Sequence, residues 1–251
     1  MPVGYETIGK GPHHVLALHG WFGDHSTFAP MRDSLSQDEF TYVCLDYRGY
    51  GKSKSMKGDY SLKEIAKDAL ELADSLKWDK FSLIGHSMGG TAIQRVLADA
   101  PSRVRKLVGI APVPATGVPF DDQTWGFFQS AVQSFDSRQG IIDFSTGGRL
   151  SKSWCARMAR YSEETSTREA FAGYLQAWAK TDFSGEIKGK PTPVKVIVGE
   201  HDPSLSADVM KGTFLAFYPN AELEVMPNAG HYPIDETPVA LATSVEAFLR
   251  K

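Results

Sequence analysis

The segment Phe81-Ser-Leu-Ile-Gly-His-Ser-Met-Gly-Gly90 joins a short apolar run to an amphipathic pattern that continues through Leu97. The apolar run predicts a buried strand, and the amphipathic pattern predicts a helix. Gly85 and Gly89 predict a tight turn between them, because a sharp strand-to-helix turn leaves no space for side chains two residues on either side of its centre. Ser87 stands at that centre. We therefore predict that Ser87 projects at the start of the helix as a nucleophile.

The alternation of strands and helices extends through most of the chain. The clearest helical pattern covers residues 61–77, where Ser61 and Glu64 match a capping box. Ser206 is expected to cap a later helix, and Pro238 to begin the last one. Short apolar runs typical of central strands in a parallel sheet lie at residues 14–18, 42–45, 81–84, 107–111, 194–198 and 223–226. The pattern predicts an α/β fold with a mostly parallel central sheet and helices on both faces.

Residues 112–191 interrupt this alternation. They contain no obvious strand-like run, and they are rich in aromatic side chains. An inserted helical layer needs a core of its own and also roofs whatever lies below it, so we expect a helical cap whose inner face lines an apolar pocket. Clusters of Pro and Gly at 112–119 and 185–193 are expected to be its hinges. The predicted division is a core of residues 1–111 and 192–251, with residues 112–191 as the cap.

A serine hydroxyl needs a base to take its proton, and the base needs an acceptor that fixes its tautomer. His231 is the candidate base, because it lies in a Gly- and Pro-bounded loop directly after the last predicted strand. Asp202 follows the preceding strand, with Glu200 as its local competitor. The chain order of serine, aspartate and histidine, each after a successive strand, favours Asp202. Glu200 and His201 are expected to be structural.

Acyl transfer also requires two donors for the tetrahedral oxyanion. The backbone amide of Met88, directly after the nucleophile, is the first candidate. The second is expected in the loop Leu18-His-Gly-Trp-Phe-Gly23, where the amide of Trp21 is favoured over that of Phe22.

Together these motifs resemble the α/β-hydrolase-fold serine hydrolases, and the resemblance covers nearly the whole chain. It rests on His19-Gly20-Trp21, Asp46-Tyr-Arg-Gly-Tyr-Gly-Lys-Ser53, Gly85-His-Ser-Met-Gly89, Gly199-Glu-His-Asp202 and Gly230-His231. The resemblance implies that Ser87 is the nucleophile, Asp202 the orienting acid and His231 the base, with the amides of Trp21 and Met88 as the oxyanion hole. It also identifies residues 112–191 as the cap of that family. The stretch before His13 has room for one weak strand, so the usual first hairpin is expected to be reduced.

The expected activity is hydrolysis of apolar small to medium acyl or aryl esters through an acyl-enzyme, as in small carboxylesterases. Three alternatives remain open: hydrolysis of a carbon–carbon bond in a ring-cleavage product, perhydrolase or cofactor-free haloperoxidase chemistry on the same triad, and a hydrolase-like protein that only binds ligand. A serine at the nucleophile position argues against the dehalogenases and epoxide hydrolases of this fold, which use a carboxylate there.

Composition excludes several other classes of function. The 251 residues carry a formal net charge of −3 and contain no basic run, which argues against nucleic acid as a partner. No apolar run is long enough for a transmembrane helix, and the N-terminus does not resemble a secretory signal. Cys44 and Cys155 suggest no disulfide framework. We therefore expect a cytoplasmic protein, and we expect it to be a monomer or homodimer. No cofactor is expected, because Asp46 stands where a phosphate-binding loop ending at Ser53 needs glycine. No metal site is expected either, because the histidines at 13, 14, 19 and 25 lack ligand spacing.

Overall fold

A seven-stranded sheet forms the centre of the molecule in the computed structural model, which describes residues 2–251. Met1, with which the predicted core begins, lies outside the described residues. The strands are β1 (Tyr5–Gly9), β2 (His13–Leu18), β3 (Phe40–Leu45), β4 (Phe81–His86), β5 (Val104–Ile110), β6 (Val194–Gly199) and β7 (Ala221–Met226). Their order across the sheet is β1-β3-β2-β4-β5-β6-β7, and only β1 runs antiparallel to its neighbour. The predicted α/β fold with a mostly parallel sheet is therefore confirmed, and a single strand precedes His13.

The helices flank the sheet or lie between its strands. They are α1 (Leu62–Ser75), α2 (Met88–Asp99), α3 (Asp122–Ser130), α4 (Phe135–Ser145), α5 (Lys152–Thr165), α6 (Arg168–Lys180), α7 (Ser184–Ile187), α8 (Ala207–Gly212), α9 (Phe214–Phe217), α10 (Pro233–Glu236) and α11 (Pro238–Arg250). Short 3₁₀ segments cover His25–Ser34, Gly51–Ser53 and Pro101–Arg103. One apolar core packs α1 and α2 against the sheet, and a second core on the other face packs α11 and the 3₁₀ segment His25–Ser34.

Parallel strands place their carboxyl ends, and the loops that follow them, at one edge of the sheet. The loops after β2, β4, β6 and β7 carry the four predicted parts of the site. The central position of β4, between β2 and β5, gives Ser87 buried backbone on both sides. The topology therefore brings residues that are distant in sequence to one location.

The last strand differs from the expectation of a central strand. β7 pairs only with β6, so it is an edge strand, and Val225 is 45% exposed. Local apolar composition could not reveal this, because the edge position depends on the order of strands in the sheet.

Two predicted helix caps are also wrong in detail. The Ser61 hydroxyl accepts a hydrogen bond from the Glu64 amide at 3.2 Å, as predicted, but the Glu64 carboxylate accepts from the amides of Asp59 and Tyr60 rather than that of Ser61. Ser206 precedes α8 without a side-chain cap hydrogen bond. At α1 the amides of Asp59 and Tyr60 compete for the Glu64 carboxylate, and residue type alone does not fix which amide is bonded.

Helices α3 to α7 lie between β5 and β6, so residues 112–191 contain no strand, as expected. We call this group the β5–β6 helices. Their aromatic residues divide into two sets. Phe171 and Tyr174 on α6 are fully buried, whereas α3 buries no residue and exposes Phe127. Within residues 2–251, no helix combines the length and the apolar character needed to cross a bilayer.

Candidate active site

Ser87 lies between β4 and α2 in a strained backbone conformation, with φ of 54° and ψ of −117°. Its neighbours at two residues on either side are packed against backbone: a Cβ atom at Gly85 would overlap the Gly89 carbonyl, and one at Gly89 would overlap the Leu18 carbonyl. The Ser87 amide donates to the Ile110 carbonyl at 3.0 Å, which holds the turn on β5. The strain is thus maintained by neighbouring strands, and the hydroxyl projects at the start of α2, as the motif predicts.

The side chains of Ser87, His231 and Asp202 form one hydrogen-bonded row. Ser87 Oγ lies 2.9 Å from His231 Nε2, and His231 Nδ1 lies 2.7 Å from Asp202 Oδ2. An ionised carboxylate can only accept, so Nδ1 carries the proton and Nε2 accepts from the serine hydroxyl. The structure therefore brings together the three residues that the sequence nominated, in the arrangement by which a histidine deprotonates a serine.

Asp202 is held in its ionised form. It is 3% exposed, and such burial alone would raise its pKa. His231 more than offsets this effect, together with the amides of Ser204 and Leu205, which donate to Oδ1 at 2.9 and 3.0 Å. The pKa of Asp202 consequently lies below its usual value. Glu200, the competitor, instead accepts from the Asn228 amide at 2.9 Å, away from this row.

The loop that carries His231 is fixed from two sides. The His231 amide donates to the Ser145 carbonyl at the end of α4 at 3.1 Å, so the β5–β6 helices help to position it. The Glu236 carboxylate accepts from the amides of Gly230 and Tyr232, at 2.8 and 3.2 Å. These contacts hold the imidazole at a set distance from Ser87 without using its ring nitrogens.

His86 contacts the residues of the site but was not predicted from the sequence. Its Nε2 donates to the His231 carbonyl at 2.8 Å, which links the residue before the nucleophile to the backbone of the base. Burial, and then the proximity of His231, lower the pKa of His86 to about 3, so its ring stays neutral and rigidly oriented near neutral pH. The sequence feature that could have indicated His86 is its position inside the Gly85–Gly89 motif, directly before Ser87. Glu236 was also missed, and its only sequence signal is an acidic residue shortly after His231.

The loop from His19 to Gly23 lies directly against Ser87. A Cβ atom at Gly20 would come within 3.2 Å of the Ser87 Cβ. None of the hydrogen bonds in residues 2–251 engages the Trp21 amide. Met88 is the first residue of α2, so its amide has no hydrogen-bond acceptor within the helix. Both predicted donors are thus available next to the hydroxyl.

Ser87 and His231 open onto an apolar cavity. Four of the aromatic residues in the predicted cap contribute to its wall: Phe120, Phe128, Phe144 and Trp178. The remaining wall comes largely from the core, including Trp21, Phe22, Leu205 and Tyr232. Polar groups are few and lie mainly around Ser87. Such a cavity accommodates an apolar organic group next to a reacting carbonyl.

A cluster of Asp24, His25 and Asp46 was not anticipated from sequence spacing. Their side-chain ligand atoms lie within 4.8 Å of one another, a geometry that could hold a metal ion. Protein donors already occupy the Asp46 carboxylate, which accepts from the His25 ring at 2.8 Å and from the Lys52 amide at 2.8 Å. Asp24 accepts from the Tyr161 hydroxyl on α5. We interpret the cluster as a junction that ties two core loops to α5.

The chain matches known proteins over almost its whole length. A family profile described as "alpha/beta hydrolase fold" matches residues 13–238. The human protein named serine hydrolase BPHL is 39% identical over 218 residues, which cover 79% of this chain and 66% of that protein. The pimeloyl-[acyl-carrier protein] methyl ester esterase of Nitrosomonas europaea is 29% identical over 96% of this chain and 97% of its own. An esterase from Exiguobacterium antarcticum has the same fold, with a TM-score of 0.87, 20% identity and coverage of 99% and 96% of the two chains. As its motifs predict, the chain belongs to the α/β-hydrolase fold family.

Proposed function

We propose that this hydrolase cleaves carboxylic esters through an acyl-enzyme on Ser87. The observation that carries the proposal is the row from Ser87 Oγ through His231 to Asp202, at 2.9 and 2.7 Å, which opens onto an apolar cavity. The methyl ester esterase among its relatives supports ester cleavage as the reaction class.

In the proposed mechanism Ser87 Oγ attacks the ester carbonyl while His231 Nε2 takes the hydroxyl proton. The negative charge on the carbonyl oxygen forms against the amides of Trp21 and Met88. His231 then gives its proton to the leaving alcohol, and the ester bond breaks. Water, deprotonated by the same nitrogen, attacks the acyl-enzyme. The bond between the acyl carbon and Ser87 Oγ then breaks, His231 returns the proton to Oγ, and the acid leaves. Asp202 accepts from Nδ1 throughout and stabilises the imidazolium.

We propose residues 112–191 as the cap and substrate selector. Helices α3, α4 and α6 contribute Phe128, Phe144 and Trp178 to the cavity, whereas the reacting groups come from the core. An apolar acyl or aryl group of small to medium size matches that wall. Cys44 and Cys155 are both free and buried, which is compatible with a reducing cytoplasm as the place of action.

A chromogenic ester panel with acyl chains of increasing length tests the proposal. Wild type is expected to turn over short and medium esters, and Ser87→Ala to show only background. Ser82→Ala is the matched control: it removes a hydroxyl from the same strand, where Ser82 contacts His13 at 2.8 Å, and it should keep activity. Turnover of a vinylogous diketone or peroxide-dependent oxidation, without ester cleavage, would instead support the carbon–carbon or perhydrolase alternative. Ester hydrolysis retained in Ser87→Ala would refute the assigned nucleophile.

A further inference from the structure

Arg138, on α4, is a buried cation without a counter-ion. It is 2% exposed, yet its side-chain hydrogen bonds go to uncharged groups: Nε donates to the Ala131 carbonyl at 2.8 Å and Nη1 to the Ser162 hydroxyl at 2.6 Å. Within residues 2–251, no carboxylate forms an ion pair with it. The charged side chains whose fields reach it, Glu163 and Arg168, have opposite signs. Its positive charge is therefore nearly uncompensated.

A second buried arginine has its charge paired with carboxylates, as is usual. Arg95 on α2 is 3% exposed, and it pairs with Asp99 at 2.5 Å and with Glu186 at 2.6 Å. Burying a charge without such partners opposes folding. The contrast indicates that the unpaired charge of Arg138 has a use other than stability.

Arg138 is stacked on a pair of aromatic rings that leads to the active site. The centre of its guanidinium lies 3.8 Å from the centroid of the Phe171 ring, and the Trp21 ring lies 3.9 Å from the same centroid at an interplanar angle of 17°. Two groups this close to one centroid must occupy opposite faces of the ring. Phe171 is therefore held between the cation and the indole.

Hydrogen bonds fix Trp21 in the same assembly. Its indole Nε1 donates to the Phe171 carbonyl at 2.8 Å, and its own carbonyl accepts from the Tyr50 hydroxyl at 3.0 Å. These contacts hold the peptide segment that carries the Trp21 amide, which is adjacent to Gly20 and therefore near Ser87. The orientation of that amide thus depends on Phe171, and Phe171 depends on Arg138.

We propose that Arg138, on the β5–β6 helices, is a positioning residue for the oxyanion hole. It holds Phe171 and Trp21 in place, and it puts an uncompensated positive charge behind the Trp21 amide. This inference rests on the proposed ester hydrolysis. The substrate carbonyl oxygen is neutral in the ground state and becomes negative in the transition state. The positive charge of Arg138 therefore stabilises the transition state more than the ground state. For an oxyanion about 12 Å from the guanidinium, a unit charge in a medium of effective dielectric constant about 20 changes the rate by roughly tenfold.

Three variants test the inference on a chromogenic ester and on an alkylboronic acid, which adds to a serine and forms an anionic tetrahedral adduct. Arg138→Met removes the charge and keeps the length, Arg138→Lys keeps the charge, and Arg95→Met is the control for loss of a buried arginine. For Arg138→Met we expect kcat to fall about tenfold and boronate affinity to weaken by a similar factor, with KM unchanged within about twofold. Arg138→Lys should recover much of this loss. Arg95→Met should lose thermal stability and keep kcat.

Unchanged kcat and boronate affinity in folded Arg138→Met, or a change confined to KM, would overturn the inference. If that variant does not fold, Arg138→Gln provides the same test, because it removes the charge and keeps an amide donor; a wild-type kcat in it would be equally contradictory. Failure of the proposed function is separable. If wild type cleaves no ester, the rate of Ser87 labelling by a fluorophosphonate, which also develops negative oxygen in the hole, replaces kcat as the readout.

Discussion

The strained backbone of Ser87 yields a prediction about stability that does not depend on activity. A non-glycine residue at φ of 54° and ψ of −117° stores about 1–3 kcal/mol of strain. Ser87→Gly releases that strain, but glycine also gains about 0.5–1 kcal/mol of freedom in the unfolded chain. The net expected gain in free energy of unfolding is about 1 kcal/mol, relative to Ser87→Ala, which retains the strain.

Comparing Ser87→Gly with Ser87→Ala isolates the effect of backbone strain on the free energy of unfolding, because both variants lack the hydroxyl that contacts His231. A difference of this size raises the thermal midpoint of a chain this long by roughly 2–4 °C. Urea denaturation and calorimetry measure it, and an ester assay run in parallel should show both variants at background.

A control in regular backbone shows the opposite sign. Thr41, in β3, pairs in unbroken register with β1 and β2, so Thr41→Gly should be less stable than Thr41→Ala by about 0.5–1 kcal/mol. The reasoning would be refuted if Ser87→Gly were no more stable than Ser87→Ala while the control behaved as expected.

Three further predictions concern the acid, a buried carboxyl and the pocket. Asp202→Asn should lower kcat by about 10³-fold or more in a steady-state ester assay, because an amide cannot replace the carboxylate that fixes and stabilises the His231 imidazole. Burial raises the pKa of Asp235 from 3.8 to about 6, so the folded state binds this proton more tightly than the unfolded state, and stability falls as pH rises from about 4 to 6. Asp235→Asn should therefore raise the free energy of unfolding by about 3 kcal/mol at pH 8 and leave it nearly unchanged at pH 4, measured by urea denaturation. Phe128→Ala enlarges the cavity and should shift kcat/KM toward bulkier acyl groups by about tenfold across the ester panel.

Sequence predicts those features of the site that local geometry determines. The Gly85–Gly89 turn needs small residues wherever it occurs, so the position of Ser87 could be read directly. Asp202 and His231 could be nominated because each follows a strand, and parallel strands end at one edge of a sheet. The sheet and its direction followed from the same apolar runs.

Features that depend on contacts between distant segments could not be predicted in this way. β7 has the composition of an inner strand, yet within residues 2–251 no strand pairs on its other side. Arg138 is a charged residue on a helix, and such residues usually lie in water; its burial on Phe171 appears only when α4 and α6 pack together. Similarly, nothing in the spacing of Asp46 and His25 indicates that their side chains meet at 2.8 Å.

The most direct test of the central claim is mass spectrometry of the protein quenched in acid during turnover of a p-nitrophenyl ester. The account predicts an intact mass increased by one acyl group, mapped by proteolysis to the peptide that contains Ser87, and lost in Ser87→Ala. An acyl group on any other residue, or steady turnover by Ser87→Ala at the wild-type rate, would contradict it.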